Sequence, residues 1–329
     1  MTDNTMVNWG FIGAGGLATG TTAKSLHNSK NGKLYAAAAR DENRARNLSP
    51  EVAYDSYEKL IQDPNVDAVY ISLNNDAHLP WILKSLDAGK HVLCEKPMVM
   101  NAGDTVTAYA PAQEKGLLLV EAVWSLWHPR SQRVKELVAG GAIGSPTNYL
   151  GTFTFDEVTQ GNYRLDPAMG GGALYDVGIY PLHGLVALLA EETEYRVTQA
   201  SEEKHSERVD LTTKAQFSFE GTNAKGTGAI IASFAMHSSQ RLVLKGTHGE
   251  ISLPGDQAFT SHNQASELTI TSNGVTTTES FAAVDPYQLM FENVSDATRG
   301  NGGWLPSPWQ SIQVAKIVDQ VFTLVQQPA

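Results

Sequence analysis

A single cysteine, Cys94, stands in 329 residues. One thiol closes no intramolecular disulfide, so the chain carries no mark of an oxidising compartment, and a cytoplasmic location is expected. No stretch approaches a run of about 18 apolar residues, which removes a membrane-spanning helix. Met1 to Asn8 has no basic segment followed by an apolar one, and no signal peptide is expected there. Basic residues are in the minority: 24 Lys and Arg against 35 Asp and Glu leave a net charge of −11. A surface of that sign repels polyanions and anionic lipid, which argues against nucleic acid or a membrane as partner. The 9 histidines show no H-x-x-x-H or similar ligand spacing, so no metal is expected.

What remains is a globular composition, with 42% hydrophobic and 18% charged residues and a length suited to about two domains. Short apolar runs at Val7–Ile12, Leu34–Ala39, Ala68–Leu73, His91–Glu95 and Leu117–Ala122 alternate with helical spacing such as Leu79, Ile82, Leu83 and Leu86. That alternation predicts an α/β class chain whose N-terminal part, residues 1–126, is a doubly wound parallel sheet of the Rossmann type. Residues 127–329 predict a C-terminal α+β domain that binds substrate and mediates oligomerisation. It has a helix near Ser131–Ala139, an extended run Thr147–Phe155 and a helix opening at Gly170. Segments Val209–Glu220, Gly226–His237, Arg241–Leu244 and Glu267–Thr271 then predict a mainly antiparallel sheet of successive hairpins. Ile312, Ala315, Ile317, Val318, Val321 and Leu324 mark a last helix, preceded by Pro306 and Pro308 and capped at Ser307. It packs on one of the two sheets, that of the first domain included. An open antiparallel face needs a cover, so a homodimer or homotetramer is expected through the second sheet.

Gly13-Ala14-Gly15-Gly16-Leu17-Ala18 lies between the first apolar run and a helical pattern. In that context G-x-G-x-x-A rests a dinucleotide's pyrophosphate on the backbone N–H groups of Gly13, Gly15, Gly16 and Leu17. A turn that binds nothing is the alternative. After the second run the first polar residue is Arg40, which suits the 2′-phosphate of NADP, with Arg44 one helical turn on. Asp41 keeps NAD open, or serves only as a helix cap. Cys94-Glu95-Lys96-Pro97 ends a strand at the ligand-binding edge of such a sheet. Cys94 is expected to be buried rather than nucleophilic. In Gly170–His183, spacings of four and three set Asp176, Tyr180 and His183 on one helix face, either as a packing network or as an acid–base set, and Pro181 disturbs the helix.

These segments, with Ala88–Pro97 and the stretch from Tyr163-Arg164-Leu165-Asp166-Pro167 to Tyr180, resemble the glucose–fructose oxidoreductase, inositol dehydrogenase and rhizopine catabolism (Gfo/Idh/MocA) family over almost the whole chain. Tyrosine at 180 resembles the branch of dihydrodiol dehydrogenase, NADP-dependent D-xylose dehydrogenase and glucose–fructose oxidoreductase. The resemblance implies that Lys96 and Tyr180 flank the reacting carbon with Asp176 close by. It assigns the cofactor to Gly13, Gly15, Arg40, Asn75, His78, Glu95 and Lys96. Trp124, Tyr163, Arg164 and His183 are the expected substrate contacts, the rings suited to a sugar face or an aromatic diol. Asn74 departs from a usual proline, and Leu126 stands where relatives commonly carry arginine. The implied function is an NADP-dependent oxidoreductase, NAD being second choice, acting on a sugar, polyol or trans-dihydrodiol. The alternative is a non-catalytic nucleotide-binding sensor or regulatory protein.

Overall fold

The computed structural model describes residues 6–206 and 208–326. Met1–Thr5, the start of the stretch read as free of a signal peptide, lies outside them. The chain forms two compact units, one comprising the residues up to Val99, Gly103–Trp124 and Asp285–Pro308, the other Met100–Ala102, Ser125–Val284 and Trp309 onward.

The first unit holds strands β1 (Val7–Ile12), β2 (Gly32–Ala38), β3 (Val52–Tyr54), β4 (Ala68–Ile71), β5 (His91–Glu95) and β6 (Leu119–Ala122) in the order β3-β2-β1-β4-β5-β6, every pair parallel. Helices cover both faces of such a sheet, so its strands read as continuous apolar runs rather than as alternation. All four residues of β4 are buried. β3 escaped the sequence reading because it is only three half-buried residues, too short a run to stand out between Glu51 and Asp55. Trp9, Phe11 and Tyr70 meet Phe291 at ring-centroid distances of 5.2, 5.8 and 5.3 Å. Phe291 belongs to helix Pro286–Thr298, whose cap Asp285 accepts from Tyr287 N and Gln288 N at 3.0 and 3.2 Å.

The second unit is built on β7 (Pro146–Thr154), β8 (Glu194–Ser206), β9 (Val209–Gly221), β10 (Ala224–Ser233), β11 (Ser239–Gly246), β12 (Gly249–Leu253), β13 (Ser266–Ser272) and β14 (Val275–Phe281). Their order is β14-β13-β12-β11-β7-β10-β9-β8. The expectation of successive hairpins needs one correction: β7 lies between β10 and β11, parallel to β10 and antiparallel to β11. A long helical excursion follows β7, so no hairpin can pair it with its successor. The helix expected from Gly170 begins later, since Gly170 (φ +72°) ends a 3₁₀ turn, Pro167–Met169, and the helical segment that follows opens as a wide turn at Leu174 before regular α-helix from Ile179. The last helix, Pro308–Val325, opens on Pro308 as expected. Ser307 Oγ, however, is buried without a hydrogen-bond partner and does not make the expected cap. This helix joins β8 through Gln320 Oε1, which accepts from Val197 N at 2.8 Å. No helix among the described residues is long and apolar enough to cross a membrane.

Candidate active site

Because the strands of the first sheet are parallel, the segments after β1, β2, β4 and β5 emerge on one edge, and these carry all the cofactor residues expected from the sequence. Gly13 turns the chain there with φ +105°, and a Cβ on it would lie 2.3 Å from Ser72 O. Only glycine fits both the dihedral and the space. A Cβ on Gly15 or Gly16 would meet no atom within 4 Å, so the turn opens onto free space at the start of the helix that runs through Leu17. Ala18, fully buried, seats that helix. A glycine turn with open space at Gly15 and Gly16, leading into a helix N-terminus, fits the pyrophosphate of a dinucleotide.

Arg40 is exposed just beyond β2. Asp41 caps helix Glu42–Arg46, its Oδ1 accepting from Asn43 N at 2.9 Å. Arg44 reaches back to the glycine turn, Nη2 donating to Ala14 O at 3.1 Å. Burial raises the Tyr57 hydroxyl pKa, and the cations of Arg40 and Arg44 pull it back, so the two guanidiniums border one patch.

After β4, Asn75 opens a one-turn 3₁₀ helix. Asn74 has φ −71° and ψ 154°, a backbone that a proline could also adopt. His78 was expected among the cofactor contacts and is fully buried, its Nδ1 2.9 Å from Pro97 O and its Nε2 3.1 Å from Leu73 O. Burial lowers its pKa, and the neutral ring, donating from one nitrogen, tethers the loops at the ends of β4 and β5.

Glu95, also buried, accepts from Tyr70 OH at 2.5 Å through Oε1 and from Lys96 N at 3.3 Å through Oε2. Its burial raises the carboxyl pKa to about 7 against the pull of these partners. The Lys96–Pro97 peptide bond is cis, and Glu121 Oε1 holds Met98 N at 2.9 Å. Lys96 thus projects from a loop fixed by Glu95, His78 and Glu121. Cys94 is buried with its thiol pKa pushed well up by burial, which fits the packing role expected of it. Trp124, expected to contact substrate, is buried and stacked on Tyr287 at 4.8 Å between ring centroids.

In the second unit Tyr163 is 39% exposed, with the Arg164 guanidinium 4.8 Å from its ring centroid. Arg164 Nε donates to Asp176 Oδ2 at 2.6 Å, joining two residues that the sequence reading assigned to different tasks. The segment carrying Asp176 and Tyr180 is not a uniform helix. Leu174–Gly178 forms a π turn, closed by Ile179 N donating to Leu174 O, and an α-helix follows from Ile179 to Val186. Pro181 explains the arrangement: it has no N–H and its ring would collide with the carbonyl four residues back, so the wider turn before it relieves the conflict. Tyr149 OH supports this point, donating to Pro181 O at 2.6 Å. Tyr180 is buried, with Phe153 and Phe259 at centroid distances of 5.4 and 6.4 Å, and His183 is buried one turn further. Tyr149, Tyr70, Glu121 and Asp210 were missed as supports; a polar residue at an inward position of an apolar strand was the available signal.

A six-stranded Rossmann sheet with an open glycine cradle, followed by an α+β unit, defines a dinucleotide-binding oxidoreductase architecture. Residues 7–123 match the oxidoreductase family with an NAD-binding Rossmann fold, GFO/IDH/MocA, and residues 131–252 match its C-terminal domain. An uncharacterised oxidoreductase of Rhizobium meliloti is 30% identical over 312 residues, 92% of this chain and 91% of the relative. A D-xylose 1-dehydrogenase (NADP+) of Haloferax volcanii is 29% identical over 321 residues, covering 95% and 96%. A 3-ketoreductase from Actinomadura kijaniata, solved with NADP and TDP-benzene, superposes with a TM-score of 0.83 at 25% identity over 97% of both chains. The chain belongs to the Gfo/Idh/MocA family of NAD(P)-binding oxidoreductases.

Proposed function

We propose that this oxidoreductase uses NADP in preference to NAD and acts on the CH–OH carbon of a sugar, polyol or trans-dihydrodiol, or on the corresponding carbonyl. Support for NADP comes from the segment after β2, where Arg40 is exposed and Asp41, the residue that would accept from a ribose hydroxyl, is engaged as a helix cap. A nicotinamide nucleotide held by the Gly13–Leu17 turn would supply or accept the hydride. Tyr180 gives or takes the hydroxyl proton; Lys96, as an ammonium, stabilises the developing alkoxide and eases ionisation of the phenol. Asp176 keeps one oxygen on Arg164 and so steadies the turn that leads into Tyr180. The observation that carries the assignment is that the fixed loop of Glu95 and His78 presents Lys96, while the π turn carries Asp176 into Tyr180.

The test is a titration with NADPH and NADH followed by D-xylose, other aldoses, polyols and trans-1,2-dihydrobenzene-1,2-diol, read at the nicotinamide absorbance band. Tyr180→Phe is expected to lower turnover by on the order of 10²–10⁴ with NADPH affinity unchanged, and Lys96→Met by at least as much. The double variant should be little worse than the poorer single one. Nucleotide binding without turnover across the panel would favour a sensor instead, and multiplicative losses would mean the two side chains act independently.

A further inference from the structure

Asp210 lies in β9, outside every motif that the sequence brings forward, and is 3% exposed. A carboxylate buried this deeply is costly unless its oxygens are engaged. Asp210 Oδ2 accepts from Leu174 N at 2.9 Å and from Thr213 Oγ1 at 2.6 Å. Leu174 is the first residue of the π turn that holds Asp176. The other oxygen lies against Gly172: a Cβ there would sit 2.4 Å from Oδ1, and Gly172 has φ +129°. The same glycine donates its N–H to Arg164 O at 2.9 Å, and its own carbonyl accepts from Asp176 N at 3.0 Å. One carboxylate therefore fixes the entry to the turn beside the point where Gly172 N bonds to the 3₁₀ segment Tyr163–Leu165.

We propose that Asp210 is a positioning residue for proton transfer, anchoring the π turn so that Asp176 and Tyr180 keep their register. A π turn holds one residue more per closed ring than an α-helix and persists only where its surroundings enforce it. Tyr149 enforces the far end through Pro181 O, and Asp210 enforces the near end through Leu174 N. If the near anchor is lost, the first turn can rewind toward α geometry, which rotates Asp176 relative to Tyr180 while leaving the first unit's nucleotide cradle untouched. A geometric error of this kind reduces turnover rather than affinity. The inference rests on Tyr180 being the proton carrier.

The experiment compares Asp210→Ala, Asp210→Asn and Thr213→Val in the full chain, each alone and with Tyr180→Phe, using NADP with D-xylose and with trans-1,2-dihydrobenzene-1,2-diol. Amide exchange over residues 171–186 is followed by mass spectrometry. Asp210→Ala should lower kcat by about 10- to 100-fold, with the NADPH Kd and substrate KM within about threefold. Asp210→Asn, which keeps an oxygen for Leu174 N, should recover most of that loss. Exchange should accelerate at Leu174–Val177 and stay unchanged in β10. On the Tyr180→Phe background, Asp210→Ala should cost less than about threefold more. Unchanged kcat despite faster exchange would overturn the proposal, as would an undiminished loss on that background. Should Asp210→Ala fail to fold, Thr213→Val carries the test, with a smaller loss of the same kind expected and parental exchange and kcat refuting it. A Tyr180→Phe protein with parental turnover would instead sink the acid–base assignment, and Asp210→Ala would then support the anchoring of Asp176 only by lowering kcat.

Discussion

Arg40 and Arg44 offer the sharpest separation of two jobs that one positive patch could perform. Arg40 is exposed and accepts no task within the protein that would compete with a 2′-phosphate, whereas Arg44 already holds Ala14 O of the glycine turn at 3.1 Å. A charge-assisted contact with phosphate contributes roughly 1.5–3 kcal/mol, and exposure to solvent brings an Arg40 contact toward the lower end, about 1–2 kcal/mol. At about 1.4 kcal/mol per tenfold, Arg40→Ala should weaken NADPH binding by roughly 5- to 30-fold and leave NADH within about twofold. Arg44→Ala removes a hydrogen bond of about 0.5–1.5 kcal/mol from the turn that receives the pyrophosphate, so it should weaken both nucleotides by about two- to tenfold. Since Arg44→Ala weakens both nucleotides alike, the double variant should show no preference for NADPH beyond that left in Arg40→Ala. The assay is fluorescence titration at fixed ionic strength near 0.1 M, repeated at higher salt, where the Arg40 contribution should shrink. Equal affinity of the parent protein for the two nucleotides, or an Arg40→Ala loss shared equally by both, would refute the reasoning.

Glu95 links stability to pH: its folded pKa of about 7 lies above the unfolded value near 4.5, so the folded state binds the extra proton, and stability is greatest below the unfolded pKa and lost as pH rises toward 7. The shift corresponds to roughly 3 kcal/mol, and melting temperatures of Glu95→Gln should stay flatter than the parent's between about pH 5 and 8, parallel curves being the contrary result. Tyr149→Phe removes the phenol's hydrogen bond to Pro181 O, which should cost about 0.5–1.5 kcal/mol in denaturant unfolding, and unchanged stability would mean that the bond adds nothing to what the helix supplies. Gly172→Ala meets both the positive φ and Asp210 Oδ1, so it should destabilise by more than about 2 kcal/mol, while Gly16→Ala, with open space at its Cβ, should leave folding intact and weaken nucleotide binding. Leu150, Ala229 and Val243, register neighbours on one half-buried sheet face, are proposed as the centre of a homodimer or homotetramer contact, and Val243→Asp should reduce the mass seen by light scattering to that of one chain.

Much of the first unit was legible because its strands are buried on both faces and therefore announce themselves as apolar runs, with Gly13 and Gly15 set in the expected turn. Strands β8, β12 and β14 were not: β8 and β14 carry polar side chains along an edge, and β12 has only five residues. Periodicity placed Asp176, Tyr180 and His183 on one helix, yet it could not show the π turn, because an i→i+5 ring leaves no trace in residue spacing beyond the proline that demands it. Contacts between distant positions were equally hidden. Arg164 and Asp176 are separated by 12 residues and Leu174 and Asp210 by 36, and in each case the charge is neutralised or engaged only after the chain has folded back.

The aromatic cluster around Phe291 gives the chain an order of completion. Trp9, Phe11 and Tyr70 are all translated early, but their fourth ring, together with Ser295 Oγ, which accepts from Trp9 Nε1 at 3.0 Å, arrives only after the whole strand-rich part of the second unit has been made. A fragment ending near residue 126 would expose the rings that Phe291 covers and leave the Trp9 indole N–H without its acceptor. The sheet from which the glycine turn emerges is thus closed by a helix that follows the second unit's strands, and a fragment without that helix has no sealed core beneath Trp9, Phe11 and Tyr70.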